Sequence, residues 1–181
     1  MRLEAVAPLG PPAFILAARG NMAVFLLPRE SRVLRSSRAE EILGALTGVT
    51  LAPADLQAIL TGCVALMPQA MDGHVHANRW ASIDLAGDAR LYLQRQANAW
   101  QLRAARRQGW QIEYPMWAGG FPQSVRLQSE DSAVMVDVTA ALSQVETNVD
   151  LDDAAFTVNV PANAQPISIE ELRENGPLGR R

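Results

Sequence analysis

Apolar and polar residues alternate one by one through most of this chain, and most cleanly from Arg79 onward. Leu91 and Leu93 alternate with Arg90, Tyr92 and Gln94. Trp110, Ile112 and Tyr114 alternate with Gln111 and Glu113, and Val125 and Leu127 with Arg126 and Gln128. A period of two sends successive side chains to opposite sides of a strand, so each segment has one apolar and one polar face. A chain so patterned is restricted to antiparallel sheet with one side in water. A sheet of this length must bow over something apolar: its own inserted helices, a bound ligand, or both.

Strands are expected over residues 2–7, 13–18, 22–27, 32–35, 79–86, 89–96, 100–107, 110–116, 123–129, 133–146 and 156–160. A slip of parity between Leu142 and Val145 marks a bulge. Segments 13–18 and 22–27 are apolar on both sides and joined by Arg19-Gly20-Asn21, a three-residue hairpin loop. Two helices interrupt the strands. Ser37 and Glu40 fit a reciprocal N-terminal cap for the first, Ile42, Leu43 and Leu46 form its apolar stripe, and Gly48 closes it. Pro53 opens the second, which carries Leu56, Ile59 and Leu60 and stops at Gly62. Both are about ten residues, too short to stand without the sheet. Residues 63–78 read as a loop. Ser168 and Glu171 form a second reciprocal cap, ahead of a short helix ended by Gly176-Pro177.

With 181 residues and 49% hydrophobic composition, the chain suits one domain over 1–181. All sixteen basic residues are Arg. Against the acids they give +1 for residues 1–60 (six minus five), +2 for 61–120 (six minus four) and −6 for 121–181 (four minus ten). No basic stripe tracks phosphates, so nucleic acid is not an expected partner. The single Cys63 rules out an internal disulfide and a cysteine-only metal site. Arg19 and Pro28 break the early apolar run before it is long enough to span a bilayer. The opening Met1-Arg2-Leu3-Glu4 is strand-like and has no signal-peptide pattern. The expectation is that N-terminal strand sequence and a signal are missing.

Asp72-Gly73-His74-Val75-His76 is the one clustering of metal-type ligands. Two histidines separated by one residue share a strand face, but zinc hydrolases use three fixed ligands and there is no third His. The segment reads as a surface loop, with no metal and no cofactor. Leu60-Thr61-Gly62-Cys63 has the letters of a lipobox, yet it follows a helix containing Asp55 and Gln57 rather than a basic-then-apolar segment. Cys63 therefore reads as a buried cysteine at the helix end. Gly109-Trp110 and Gly119-Gly120 are turns without the strand–glycine–helix context of nucleotide sites. Asp150, Asp152 and Asp153 read as a solvated turn. No catalytic set emerges, and a non-enzymatic protein is expected.

What remains is a distributed apolar surface. The inner face of the sheet is expected to present Phe14, Leu16, Met22, Val24, Leu26, Ile83, Leu85, Leu91, Leu93, Trp110, Ile112, Val125 and Leu127. The helices offer Ile42, Leu46, Leu56, Ile59 and Leu60 toward it, and Met67 and Met71 supply an adaptable rim. Each residue alone suits a dry core; together, a curled sheet under two small helices forms an apolar pocket.

The order of these elements resembles a known family. The Arg2 to Gly10 opening precedes the apolar hairpin Pro12 to Leu27, then the Ala39 to Gly48 helix and the Leu60 to Cys63 helix end. Later come Asp137-Val138, Val145 to Asn148, Phe156 to Pro161 and Glu171 to Pro177. Together they resemble the LolB-like branch of the LolA/LolB bacterial lipoprotein-sorting family. The resemblance implies a mainly β (α+β) fold, an unclosed antiparallel half-barrel with a short helical lid on its concave face. It also implies binding of lipoprotein acyl chains or another amphiphile, with a lipoprotein carrier protein and the inner face of the outer membrane as partners, in the periplasm. The alternative is a structural or assembly module of the cell envelope with a filled core.

Overall fold

The structure, a computed structural model, describes residues 1–6, 9–20, 22–36, 38–48, 50–63, 69–107, 109–130 and 136–175. It is mainly β, and its strands form two sheets, neither closed into a barrel among the described residues. The chain divides into two compact units, Met1–Pro53 with Asn148–Arg181, and Ala54–Thr147.

The first unit holds β1 (Arg2–Ala5), β2 (Phe14–Arg19), β3 (Met22–Leu27) and β4 (Arg32–Ser36) as antiparallel neighbours. A short β12 (Gln165–Pro166), which the alternation did not reveal, runs parallel to β4. The hairpin corrects the expected register. Arg19 pairs with Met22, so the loop has two residues rather than three. One residue fewer in the loop reverses the facing of the second strand. Phe14 and Leu16 therefore share a side with Phe25, which pairs with Leu16 and Leu34, and not with Met22, Val24 and Leu26.

Both sides of this sheet are covered, as the doubly apolar hairpin requires: Leu16 and Phe25 are fully buried on one, Ala17 and Leu26 on the other. Helix α1 (Ala39–Thr47) buries Ala39, Ile42, Leu43 and Leu46. Arg38 stands at its N-cap position, and Gly48 takes the left-handed conformation that ends it. Ser37 lies outside the described residues, so the expected cap there does too. Helix α1 packs on α3 (Ile169–Asn175). Arg32, which pairs with Leu27 on the Phe25 side, holds Glu171 of α3 at 3.1 Å. On the other side Arg2 donates to the carbonyls of Ala155 and Thr157. Those belong to a single 3-10 turn, Asp153–Phe156, with irregular chain after it, where a strand over 156–160 was expected. Asp152 caps the turn and Asp153 pairs with Arg19, so these acids are structural.

The second reciprocal cap is present. The Ser168 hydroxyl accepts from the Glu171 N–H at 3.1 Å, and the Glu171 carboxylate accepts from the Ser168 N–H at 3.0 Å. The Ser168 N–H first, and then Arg32, hold the Glu171 carboxyl below its ordinary value of 4.5. A depressed carboxyl adds stability above its unfolded value and loses it as pH falls through the folded one. Ser168→Ala removes the acceptor of the Glu171 N–H and is expected to cost about 1 kcal/mol in urea unfolding, whereas the deficit of Glu171→Gln against the parent should narrow as pH falls. The Gly176-Pro177 stop lies outside the described residues.

The second unit is an up-and-down antiparallel meander: β5 (Ala70–His76), β6 (Trp80–Leu85), β7 (Ala89–Gln96), β8 (Ala99–Arg107), β9 (Trp110–Ala118), β10 (Phe121–Ser129) and β11 (Asp137–Ala141). Six of these match expected strands. The exception is β5, which lies where a loop was read. β11 is shorter than 133–146, with 133–135 outside the described residues and Leu142 to Val145 beyond the strand. Gly119 and Gly120 both have positive φ and form the two-residue loop between β9 and β10, which requires that conformation twice.

Cross-strand rows show the two-sidedness directly. His74, Ser82, Tyr92, Ala104, Glu113, Arg126 and Thr139 make one row; Gly73, Ile83, Leu91, Ala105, Ile112, Leu127 and Val138 make the next. The first side is polar and laced with exposed ion pairs: Arg126 with Asp137 at 2.6 Å, Arg106 with Glu130 at 2.7 Å, and Arg90 with Asp84. Such pairs contribute little to stability. The second side buries Leu91, Ala105, Ile112 and Leu127.

Candidate apolar binding surface

Helix α2 (Pro53–Thr61) belongs to the second unit from Ala54 on and is fastened at both ends to the apolar side of the meander. Asp55 in its first turn reaches Arg107 at 2.8 Å, and Arg107 pairs with Trp110 two rows along from Ile112, on the same side. At the other end the Gly62 N–H bonds to Ile59 and the Cys63 N–H to Ala58, the two-bond glycine cap that satisfies the last carbonyls. Gly62 has φ +64° and lies against Trp117; a Cβ there would sit 2.6 Å from the ring. Only glycine meets both demands. Cys63 is exposed, not buried as expected: its main chain does the capping and the thiol faces water.

Buried on α2 are Ala58 and Ile59; Leu56 and Leu60 are half-buried. Opposite them on the meander, Leu85, Leu91, Ile112, Val125 and Leu127 are buried, while Ile83, Leu93 and Trp110 are half-buried. At the edge Val75, which pairs with Ala81, is 62% exposed. Met71 is exposed on β5, and Met67 lies outside the described residues.

The candidates of the first unit do not form one surface. Phe14 and Leu16 pack beside Phe25, with the two rings 5.5 Å apart. Ile42 and Leu46 are buried on α1, Leu26 is buried and Val24 half-buried on the opposite side of the sheet, and Met22 is 73% exposed. Open grooves of about 610 and 420 Å³ lie toward the polar side of the meander, and one of about 580 Å³ lies beside Met22 in the first unit. Of the sequence-derived candidates, Leu85 borders the first and Met22 the last.

Two residues of this surface were not among the candidates. Tyr114 continues the Trp110–Ile112 parity, is 1% exposed, and has its phenol pushed up to about 12 by burial. Its alternation was visible, so the signal existed. The Trp117 ring lies 5.8 Å from that of Tyr114 and tilted to it, and its indole Nε1 is buried with no hydrogen-bond partner among the described residues. The register shifts along β10 that bring it there have no mark in a period-two pattern.

His74 and His76 stand on the polar side of β5, and among the described residues no three His, Cys, Asp or Glu gather around one point. No described helix is long and apolar enough to cross a membrane. Neither a protein-family model nor a curated protein sequence matches the chain.

Proposed function

We propose that this protein is a non-enzymatic binder of lipid acyl chains, a carrier or acceptor of lipid-modified proteins at the periplasmic side of a bacterial outer membrane. The observation that carries the reading is the uneven cover of the meander's apolar side. Its centre is dry, whereas Leu56, Leu60, Ile83, Leu93 and Trp110 are only half-buried and Val75 is open to water. Apolar surface left partly uncovered in this way supports a binding role. The LolB-like order of elements adds the half-barrel with a helical lid, and a lipoprotein carrier protein as the partner in transfer.

The energetics suit handover. Each buried methylene contributes about 0.8 kcal/mol, so ten carbons contribute about 8 kcal/mol, against association costs of about 4–15 kcal/mol. With association costs near the lower end, about 4 kcal/mol of net binding is left, the modest affinity that transfer requires.

Gentle purification followed by native mass spectrometry is expected to show a bound amphiphile, and a fluorescent fatty acyl probe is expected to bind. Leu93→Trp fills the half-buried surface and should weaken the probe at least tenfold with little change in melting temperature. No amphiphile and no probe uptake would sink the carrier reading. That result would favour the second reading, a structural envelope module, which draws on the full burial of Leu16, Ile42, Ile112 and Val125.

A further inference from the structure

The polar side of the meander carries a feature that the acyl-chain reading does not use. Asp72, His74 and His76 occupy alternate positions of the edge strand β5 and pair with Asp84, Ser82 and Trp80, which puts all three on one side. The two imidazole rings lie 6.4 Å apart, centre to centre. Each ring has one nitrogen already engaged. His74 Nε2 is 3.4 Å from Asp72 Oδ2, and His76 Nε2 is 3.3 Å from Ser82 Oγ.

We propose that His74 and His76 chelate one divalent transition ion of the zinc, nickel or copper class through their Nδ1 atoms. Neutral imidazole is the ligand these ions favour. Histidines that bind metal characteristically pass their other ring N–H to a carboxylate or other acceptor, which fixes the tautomer and the ring orientation. Asp72 Oδ2 is placed to do this for His74, and the Ser82 hydroxyl for His76 in the tautomer that carries its proton on Nε2. Asp72 is thus a positioning residue rather than a third ligand, consistent with the lack of a three-ligand group. An ion about 2.0–2.1 Å from a nitrogen of each ring holds the ring centres roughly 5–6 Å apart. A small turn of two exposed side chains closes that gap. His74 and Asp72 are 58% and 66% exposed, and an open groove borders both rings, so nothing obstructs an ion or its remaining waters. Arg90, which lines the groove, is paired with Asp84.

The test uses the full chain in a Cys63→Ser background, because the exposed thiol is itself a metal ligand. Calorimetric titration with Zn²⁺ in a non-coordinating buffer is expected to show one ion per chain. His74→Ala or His76→Ala should each weaken binding at least tenfold, and Asp72→Asn by about tenfold. All three positions are exposed, so the variants should keep the parent circular dichroism and melting temperature without metal. Zn²⁺ should raise the melting temperature of the parent and not of the double histidine variant. Substoichiometric Cu²⁺ should broaden the imidazole resonances of His74 and His76 first. Binding that persists in the double variant, or no binding below millimolar Zn²⁺, overturns the proposal. Either outcome leaves the acyl-chain reading standing, since the two surfaces lie on opposite sides of the meander.

Discussion

Phe25→Ala is expected to be among the most damaging single substitutions in this protein, lowering stability by about 3–5 kcal/mol. Phe25 has no exposed surface, faces Leu16 on one neighbouring strand and Leu34 on the other, and packs its ring at a tilt against Phe14. Removing the ring leaves a cavity that two strands and the covering helices cannot collapse around. Urea unfolding should show a lower midpoint with an unchanged slope, the signature of lost stability rather than altered compactness. Met22→Ala is the matched control. At 73% exposure it should shift stability by no more than about 0.5 kcal/mol. The pair tests the hairpin register, because a three-residue loop would turn Met22 to the side of Phe14 and Leu16 and move Phe25 to the opposite one. A severe Met22→Ala would contradict the exposure this register gives Met22.

Alkaline unfolding should be governed in large part by Tyr114. Burial raises its phenol from 10.0 to about 12. A proton is held more tightly in the folded state, so the stability this contributes is complete below pH 10 and is lost as pH rises through 12. At about 1.4 kcal/mol per pH unit the loss is about 3 kcal/mol. Only two tyrosines are present. In a Tyr92→Phe variant the phenolate absorbance near 295 nm therefore reports Tyr114 alone. It is expected to appear near pH 12 and together with loss of near-ultraviolet dichroism. A phenolate forming near pH 10 in a protein that remains folded would show that the ring is not enclosed. Tyr114→Phe removes the ionisable group and should extend stability to higher pH.

The strands of the meander were legible because each solvated face writes its period into the sequence; the rows through Arg126 and Leu127 follow directly from it. The first unit was less legible, since a sheet buried on both sides has no alternation. There the register rests on one loop residue, Arg19, which the structure places inside β2. β5 was hidden because Gly73 and two histidines resemble loop composition, and an exposed edge strand needs no apolar stripe. The supposed strand over 156–160 alternates without pairing, which shows that period two is permissive for sheet but does not enforce it. For the site, apolar character identified residues that are withdrawn from water. It could not distinguish the dry centre, Ile112 and Leu91, from the half-open margin, Leu93 and Trp110, because that difference is set by what lies above each residue.

The sheet of the first unit is completed by two stretches of chain from opposite ends of the sequence. Arg32 and Pro166 share a hydrogen bond although 134 residues separate them. At a synthesis rate of about 5–20 residues per second, roughly 7–27 s pass between the emergence of the two. Throughout that interval the outer rim of β4 stands bare, with free amide and carbonyl groups ready to recruit a stray strand. The meander can assemble fully in the meantime. The pairing of β12 with β4 is therefore a late step in biogenesis, and a chaperone that shields β4 on the nascent chain should raise the yield more than one acting on the finished product.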